Sequence, residues 1–289
     1  VIFRADTMSQ AVAMVAAMFS GVHATAQTGL LTTLPLLAFG LVSPLAAGVA
    51  RRFGMERSLL LAMLLICAGI ALRSLPSAAL LFIGTAVIGC GIALVRGQKQ
   101  QGVPLLATGE KGIGNTTTSS AVASVLLGAP VQSMTGRGAG LSDAGLARKS
   151  EAIRRGIARN QPNPADPLDV LAKLGGFDIA GLCGVFLGGA LEGVPILMDG
   201  FISSVAALCA VRLCPAAAKA VFASHVSAEP AAHMVLDALG KAPLITANLH
   251  LGEGTGAVAS IPLWDMALAV YRGCYSFAEG GIAPYTPQC

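Results

Sequence analysis

Long runs without charged side chains dominate the first third of the chain. No charged residue occurs from 7 to 50, from 58 to 72 or from 74 to 95. A membrane-spanning helix needs about 20 consecutive apolar residues, and the runs 29–50 and 77–95 reach that length. The pattern predicts an all-α, apolar, membrane-like segment over residues 1–95, with buried helices of a soluble domain as the alternative.

The pattern changes after residue 95. Short apolar runs bounded by Gly or Asp occur at 103–107, 194–198, 220–223 and 248–251, and helical stretches alternate with them. This alternation is typical of parallel βαβ units. We therefore predict a junction at 96–101, followed over 102–289 by an α/β domain with an open parallel sheet and flanking helices.

Composition and charge exclude several classes of protein. Hydrophobic residues make up 54% of the chain and charged residues 12%, which excludes a disordered chain. The net charge is only +4 and the basic residues form no long run, so no nucleic acid partner is expected. Seven cysteines without a CxxC pair indicate a reducing compartment, and the four histidines lack metal-ligand spacing. We expect no metal and no cofactor.

Two glycine-rich turns follow candidate strands or precede candidate helices. Ligands of open parallel sheets bind outside the carboxyl ends of the strands. The turn 108–115 contains Gly112 and precedes a helix that we expect to start at Thr116, so it could hold a phosphate or be a tight turn. The turn 136–140 contains Gly138 and precedes a basic helix carrying Lys149, and most charges on such helices are solvated.

Two acidic residues occupy turns directly after candidate strands. Asp199 could bind a sugar hydroxyl or cap the helix that starts at Phe201. Glu253 stands between Gly252 and Gly254. It could cap a helix starting near Thr255, or act as a general base, since partial burial raises the pKa of a carboxyl toward neutral pH.

Several motifs in order resemble one enzyme family. They are GEKGIGN (109–115), PILMDGFISS (195–204), SHVSAEPAAH (224–233) and LGEGTG (251–256). Together they resemble nicotinate-nucleotide:dimethylbenzimidazole phosphoribosyltransferases of cobalamin lower-ligand assembly, over about 102–287. The resemblance covers the carboxyl-terminal half of that enzyme, which implies a truncated sheet.

The resemblance implies a reaction and roles for individual residues. Phosphoribosyl would pass from nicotinate mononucleotide to 5,6-dimethylbenzimidazole, giving α-ribazole 5′-phosphate and nicotinate. Glu253 would be the general base and Glu110 a second carboxyl that supports the base or substrate. Lys149 and the glycines of the two motifs GRGAG and LGEGTG would hold the 5′-phosphate. The expected substrate-binding residues are Glu110, Gly112, Gly138, Lys149, Asp199, Gly252 and Gly254.

A second resemblance concerns the apolar segment. Residues 27–94, including GLLTTLPLLAFGLVSPLAAGVARRFGMERS, resemble a fragment of a major facilitator transporter of the cyanate-permease type. The alternatives to an active enzyme are therefore a transporter fragment or an inactive fusion of two gene fragments. For the enzyme-like domain we expect a cytoplasmic location and a homodimer, and for residues 1–95 membrane association.

Overall fold

The computed structural model describes residues 79–283 of the chain, with side chains from residue 87 onward. The uncharged runs 7–50 and 58–72, with the predicted span at 29–50, lie outside these residues. Within them the helices are α1 Ala79–Gln100, α2 Asn115–Leu127, α3 Val131–Met134, α4 Asp143–Asn160, α5 Pro167–Leu174, α6 Phe177–Glu192, α7 Gly200–Leu213, α8 Ala232–Leu239 and α9 Thr255–Gly273, with a 3₁₀ turn at Pro215–Lys219. The strands are β1 Leu106–Ala107, β2 Ile196–Met198, β3 Val221–Ala223, β4 His225–Ser227 and β5 Ile245–Leu249.

Two small parallel sheets form the centre of the fold. β1, β2 and β3 pair in that order, and β4 pairs with β5. Ser224 alone separates β3 from β4, and its carbonyl accepts from the Ile245 N–H at 3.0 Å. The chain therefore passes from one sheet into the other without a loop, so the carboxyl ends of β1, β2, β4 and β5 open toward the same region.

Apolar strands and helices build the core around this sheet. All three residues of β2 are buried, and α7 is buried along almost its whole length. Such continuous apolar runs are typical of parallel strands covered on both faces. The predicted α/β fold with parallel strands and flanking helices is confirmed.

The expected strands differ from the observed ones in two places. The predicted runs at 103–107, 194–198 and 220–223 contain β1, β2 and β3, but the run at 248–251 only overlaps the end of β5. β4 was not predicted, because it begins one residue after β3 and shares its apolar run. The predicted helix start at Thr116 is one residue from the observed start at Asn115.

The described residues do not support the predicted membrane span at 77–95. Its described part lies in α1, and no helix within 79–283 is both long enough and apolar enough to cross a bilayer. Ile88, Ala93 and Val95 are buried within the protein. The uncharged run reflects a helix that packs inside a domain, since a buried helix and a membrane helix both exclude charge.

α1 continues through the predicted junction at 96–101 and packs closely against α6. It ends at Gln100, and its last turns carry Arg96 and Lys99, which pair with Glu192 at the end of α6. The described part of the transporter-like stretch, 79–94, thus belongs to one helix of the α/β domain.

Glycine makes the close approach of α1 and α6 feasible. A Cβ at Gly91 would lie 2.3 Å from the Gly181 carbonyl oxygen and 2.8 Å from the Val185 nitrogen. These are backbone atoms of α6, so they cannot move aside as a flexible side chain would.

We predict that Gly91→Ala destabilises the fold. The added methyl must push two helices apart, and overpacking of this kind costs about 1 to 3 kcal/mol. Gly97→Ala in the same helix is the control, because a Cβ there meets nothing within 4 Å and alanine favours helix. Urea unfolding followed by circular dichroism measures both variants, and equal midpoints for the two would contradict the packing argument.

Candidate active site

Two turns that follow parallel strands touch each other at the carboxyl ends of β1 and β5. The Glu253 N–H donates to the Glu110 carbonyl oxygen at 2.8 Å. A Cβ at Gly109 would lie 2.6 Å from the Gly254 nitrogen, so the two backbones meet without side chains between them. Segments 145 residues apart in sequence, 108–110 and 253–255, therefore form one surface.

The Asp199 carboxylate holds the second of these turns in place. It follows β2, is 2% exposed, and accepts from three backbone N–H groups of the turn that opens α9. The donors are Gly254 and Gly256 at 3.0 Å and Ala257 at 3.1 Å. The positive end of the α9 dipole also stabilises this buried negative charge.

Asp199 is tied to the first turn as well. Its backbone N–H donates to Thr108 Oγ1 at 3.1 Å, and that hydroxyl donates to the Leu197 carbonyl at 3.2 Å. Its side chain makes no capping bond to its own helix, α7. The sequence alternative in which Asp199 caps that helix is wrong, because the carboxylate turns across the sheet to cap α9 instead.

His225 packs against the Asp199 clamp, which consists of the Asp199 carboxylate and the Gly254, Gly256 and Ala257 N–H groups that it binds. Its Nδ1 lies 3.0 Å from Ser224 Oγ and 3.7 Å from Asp199 Oδ1, and the residue is 4% exposed. Burial lowers the pKa of His225, and the negative charge of Asp199 opposes that shift in part. The buried ring thus joins Ser224 to the Asp199 carboxylate inside the core.

Glu253 projects from the clamped turn into solvent. It has a left-handed φ of 58°, and its side chain is exposed. The first N–H groups of α9 are satisfied by Asp199 and the helix has no side-chain cap of its own. Glu253 is therefore not the cap of α9, and its carboxylate is accessible to a substrate.

Glu110 lies on the opposite turn in a partly buried, electrostatically unusual position. Burial, with the negative charge of Asp178 as a second cause, raises the pKa of Glu110 to about 7, although hydrogen bonds from Asn115 and the Lys111 backbone oppose the shift. Asn115 Nδ2 donates to Glu110 Oε2 at 2.8 Å and to Asp178 Oδ2 at 2.9 Å. A carboxyl with such a pKa can hold or release a proton near neutral pH.

Lys149 is buried rather than solvated, which corrects the expectation for charges on this helix. It is 8% exposed, and its Nζ donates to the Gly136 carbonyl at 2.8 Å and to Thr116 Oγ1 at 3.1 Å. Burial lowers the pKa of Lys149, while the Glu229 carboxylate raises it. The ammonium therefore links α4 to the start of α2 and to the turn at 136–140.

The four predicted glycines differ in what their backbones contact. Gly138 N–H donates to Glu229 Oε1 at 3.0 Å, and Gly254 N–H donates to Asp199, so neither amide is free. Gly252 has a φ of 75°, and a Cβ there would lie 2.8 Å from the Glu110 carbonyl oxygen. A Cβ at Gly112 would meet nothing within 4 Å. The structure thus places Gly252 beside Glu110 and Gly254 beside Gly109, whereas Gly138 lies beside Lys149.

Sequence reasoning missed three polar residues at this site. They are Asn115, Asp178 and Glu229. Asn115 and Glu229 lie inside motifs given above, and Asp178 lies in the first turn of α6, two residues after Gly176, which is a signal for a helix N-terminus. Nothing in the local sequence indicates that Glu229 reaches Gly138, 91 residues away.

Comparison with known proteins gives the class of the chain. A family model described as "Phosphoribosyltransferase" matches residues 84–282. The chain belongs to this phosphoribosyltransferase family, and the matched region begins within α1.

Individual relatives carry a more particular name. The nicotinate-nucleotide–dimethylbenzimidazole phosphoribosyltransferase of Acetivibrio thermocellus is 49% identical over 201 residues, which are 70% of this chain and 57% of that protein. The enzyme of the same name from Desulforudis audaxviator is 48% identical over 68% of this chain and 56% of its own length. The chain thus spans a little over half the length of these relatives.

A solved structure supports the same fold. The structure described as CobT from Thermus thermophilus superimposes with a TM-score of 0.64 and is 38% identical, over 70% of this chain and 60% of that one. None of these comparisons supports the transporter resemblance of residues 27–94, and the enzyme resemblance is confirmed.

We predict that Asp199→Ala destabilises the fold by about 2 to 4 kcal/mol. The change leaves three backbone N–H groups without their acceptor, and each hydrogen bond to a charged group contributes about 1.5 to 3 kcal/mol. Removing the carboxylate also removes the cost of burying its charge, so the net loss is smaller than the sum of the three bonds. Asp237→Ala, an exposed residue of α8, is the control and should change little. Chemical unfolding checks both, and an Asp199→Ala chain as stable as the control would show that the clamp is dispensable.

We also predict a pH dependence of stability from Glu110. Its folded pKa of about 7 lies above the ordinary value of 4.5, so between these values the folded chain keeps a proton that the unfolded chain has released. This contribution to the free energy of unfolding is present below about pH 4.5 and is lost as the pH rises toward 7. In Glu110→Gln, the unfolding midpoint should therefore fall less than in the parent chain as the pH rises from 5 to 8. Parallel pH profiles for the two chains would contradict it.

Proposed function

We propose that the chain transfers phosphoribosyl from nicotinate mononucleotide to 5,6-dimethylbenzimidazole, giving α-ribazole 5′-phosphate and nicotinate. The observation that carries this proposal is the contact of the 108–110 and 252–256 turns, which brings Glu110 and Glu253 to one surface. The relatives named above carry the same activity in their names. Because the chain spans just over half of their length, the activity of this chain is our proposal.

Glu253 is the proposed general base. One benzimidazole nitrogen forms a bond to C1 of the ribose while the other ring nitrogen gives its proton to the Glu253 carboxylate. The bond from C1 to the pyridinium nitrogen of nicotinate breaks, and its electron pair neutralises that nitrogen. Attack from the opposite face inverts C1, with positive charge developing on the sugar as in glycosyl transfer. The exposed position of Glu253 on a clamped turn suits this proton transfer.

The proposed phosphate site lies around the start of α2. Lys149 has three N–H donors, and the two hydrogen bonds to Gly136 and Thr116 leave one for a phosphate oxygen. The N-cap residue of α2 is Gly114, which has no side chain to cap the helix. The N-terminus of α2 can therefore also attract an anion. For Gly138 to contribute its amide, the phosphate would have to replace the Glu229 carboxylate.

The remaining proposed roles belong to three glycines and to Asp199. Gly112, Gly252 and Gly254 are proposed to let the sugar phosphate approach the backbone, and Asp199 to orient the turn that carries Glu253. Asp199 is also proposed to bind a sugar hydroxyl. That hydroxyl would have to share the Asp199 carboxylate with the three N–H groups that the carboxylate already binds. A homodimer, a cytoplasmic location and membrane association of 1–95 remain expectations.

We predict that Glu253→Gln lowers turnover by roughly 10²- to 10⁴-fold without unfolding the chain, because a general base contributes about that much. Lys149→Ala should instead raise KM for nicotinate mononucleotide by about ten- to a hundredfold, since it removes a charge-assisted hydrogen bond. The assay is release of nicotinate from nicotinate mononucleotide in the presence of dimethylbenzimidazole.

Two exposed residues give matched controls. Glu151→Gln and Lys173→Ala change ion pairs on the surfaces of α4 and α5, and both should keep normal kinetics. A folded parent chain that releases no nicotinate would overturn the proposed function and favour the inactive fusion. Turnover that survives Glu253→Gln would overturn the base assignment and make Glu110 the next candidate.

A further inference from the structure

The side chain of Asn115 joins two acidic residues from different elements. Asn115 is the first residue of α2, Glu110 lies in the turn before that helix, and Asp178 lies in the first turn of α6. The Asn115 amide nitrogen is 2.8 Å from a Glu110 oxygen and 2.9 Å from an Asp178 oxygen. Both amide hydrogens are therefore used, one on each carboxyl.

The orientation of this amide follows from the chemistry of its neighbours. A carboxylate can only accept, so the NH₂ end of the amide must face the two acidic groups. The oxygen of the same amide is buried without a hydrogen-bond partner among the described residues. Asn115 is consequently held by its two bonds to Glu110 and Asp178.

We propose that Asn115 and Asp178 are positioning residues for Glu110. In this arrangement, which rests on the proposed function, the Asn115 amide fixes the Glu110 carboxyl beside the Glu253 turn, and the Asp178 charge adds to the effect of burial in favouring the protonated form of Glu110. Two carboxyl groups bonded to one nitrogen repel each other when both are ionised, so the Asp178 charge disfavours ionisation of Glu110.

The two carboxyl groups lie in different surroundings. Asp178 lies in the first turn of α6, where the helix dipole stabilises negative charge. Its Oδ1 lies 2.3 Å from where a Cβ of Gly176 would be, so it rests against the backbone at the helix start. Glu110 has no helix N-terminus of this kind and is partly buried, which agrees with its pKa of about 7.

Among the groups around Glu110, Asp178 is the one whose charge raises the pKa of the Glu110 carboxyl. In its own turn, the Lys111 backbone is bonded to it and the Lys111 side chain is exposed. From the facing turn, Glu253 contributes its backbone N–H to the Glu110 carbonyl, and Asp199 uses both carboxylate oxygens on backbone N–H groups. From α2 and α6 the facing groups are Asn115 and Asp178.

The test is a direct titration of the Glu110 carboxyl carbon by ¹³C NMR on the whole chain, assigned by its loss in Glu110→Gln. Asp178→Asn keeps an acceptor for Asn115 but removes the charge, so the Glu110 midpoint should fall by about one pH unit or more. Asn115→Ala removes a bond that favours the ionised form, so the midpoint should rise. Asp169→Asn, a first-turn aspartate of the neighbouring helix α5, should leave it unchanged.

The opposite signs separate positioning from general loosening. If the two residues were only structural, both variants would expose Glu110 to water and lower its midpoint. Midpoints that fall in both variants, or move in neither, overturn the proposal. The pH profile of nicotinate release should shift in the same two directions. A chain that shows the expected titrations but no turnover would refute the proposed function and leave the positioning of Glu110 in place.

Discussion

The site depends on one buried carboxylate that binds the backbone of a distant turn. Asp199 follows the central strand β2 and accepts three N–H groups from residues 254–257. A buried charge of this kind is stable only when its hydrogen bonds are complete. The clamp therefore fixes the start of α9, the left-handed turn at Glu253 and the contact with Gly109. Without it, the proposed base would be held to the first turn only by the bond from its N–H to the Glu110 carbonyl.

Around this clamp, the surroundings shift the pKa values of His225, Glu110 and Lys149 in different directions. His225 lies beneath it as a buried ring whose pKa is lowered by burial. Glu110 lies across from it with a pKa raised to about 7, and Lys149 is buried next to Glu229 with a pKa lowered by burial. Pairs of groups with divergent environments are typical of sites where protons and charges are handled. In this chain they cluster at the carboxyl ends of the parallel strands.

The sequence predicted the local elements better than the long-range contacts. β1, β2 and β3 follow from apolar runs that end at Thr108, Asp199 and Ser224, and Glu253 is conspicuous because it stands between glycines. The Asp199 clamp, the Asn115–Asp178 bond and the burial of Lys149 join residues 13 to 63 positions apart, and no local pattern encodes such pairs. The run at 77–95 is ambiguous, because burial of a helix in a domain and in a bilayer leaves the same uncharged pattern.

The most direct test of the central claim is an NMR titration of the whole chain with nicotinate mononucleotide, following the backbone amides. If the two clamped turns and the start of α2 form one substrate site, the largest shifts will fall on residues 110–116 and 252–257, and the Asp199→Ala chain will lose the response at 252–257. Shifts confined to other parts of the chain, or an unchanged response in Asp199→Ala, would contradict a site built by this clamp.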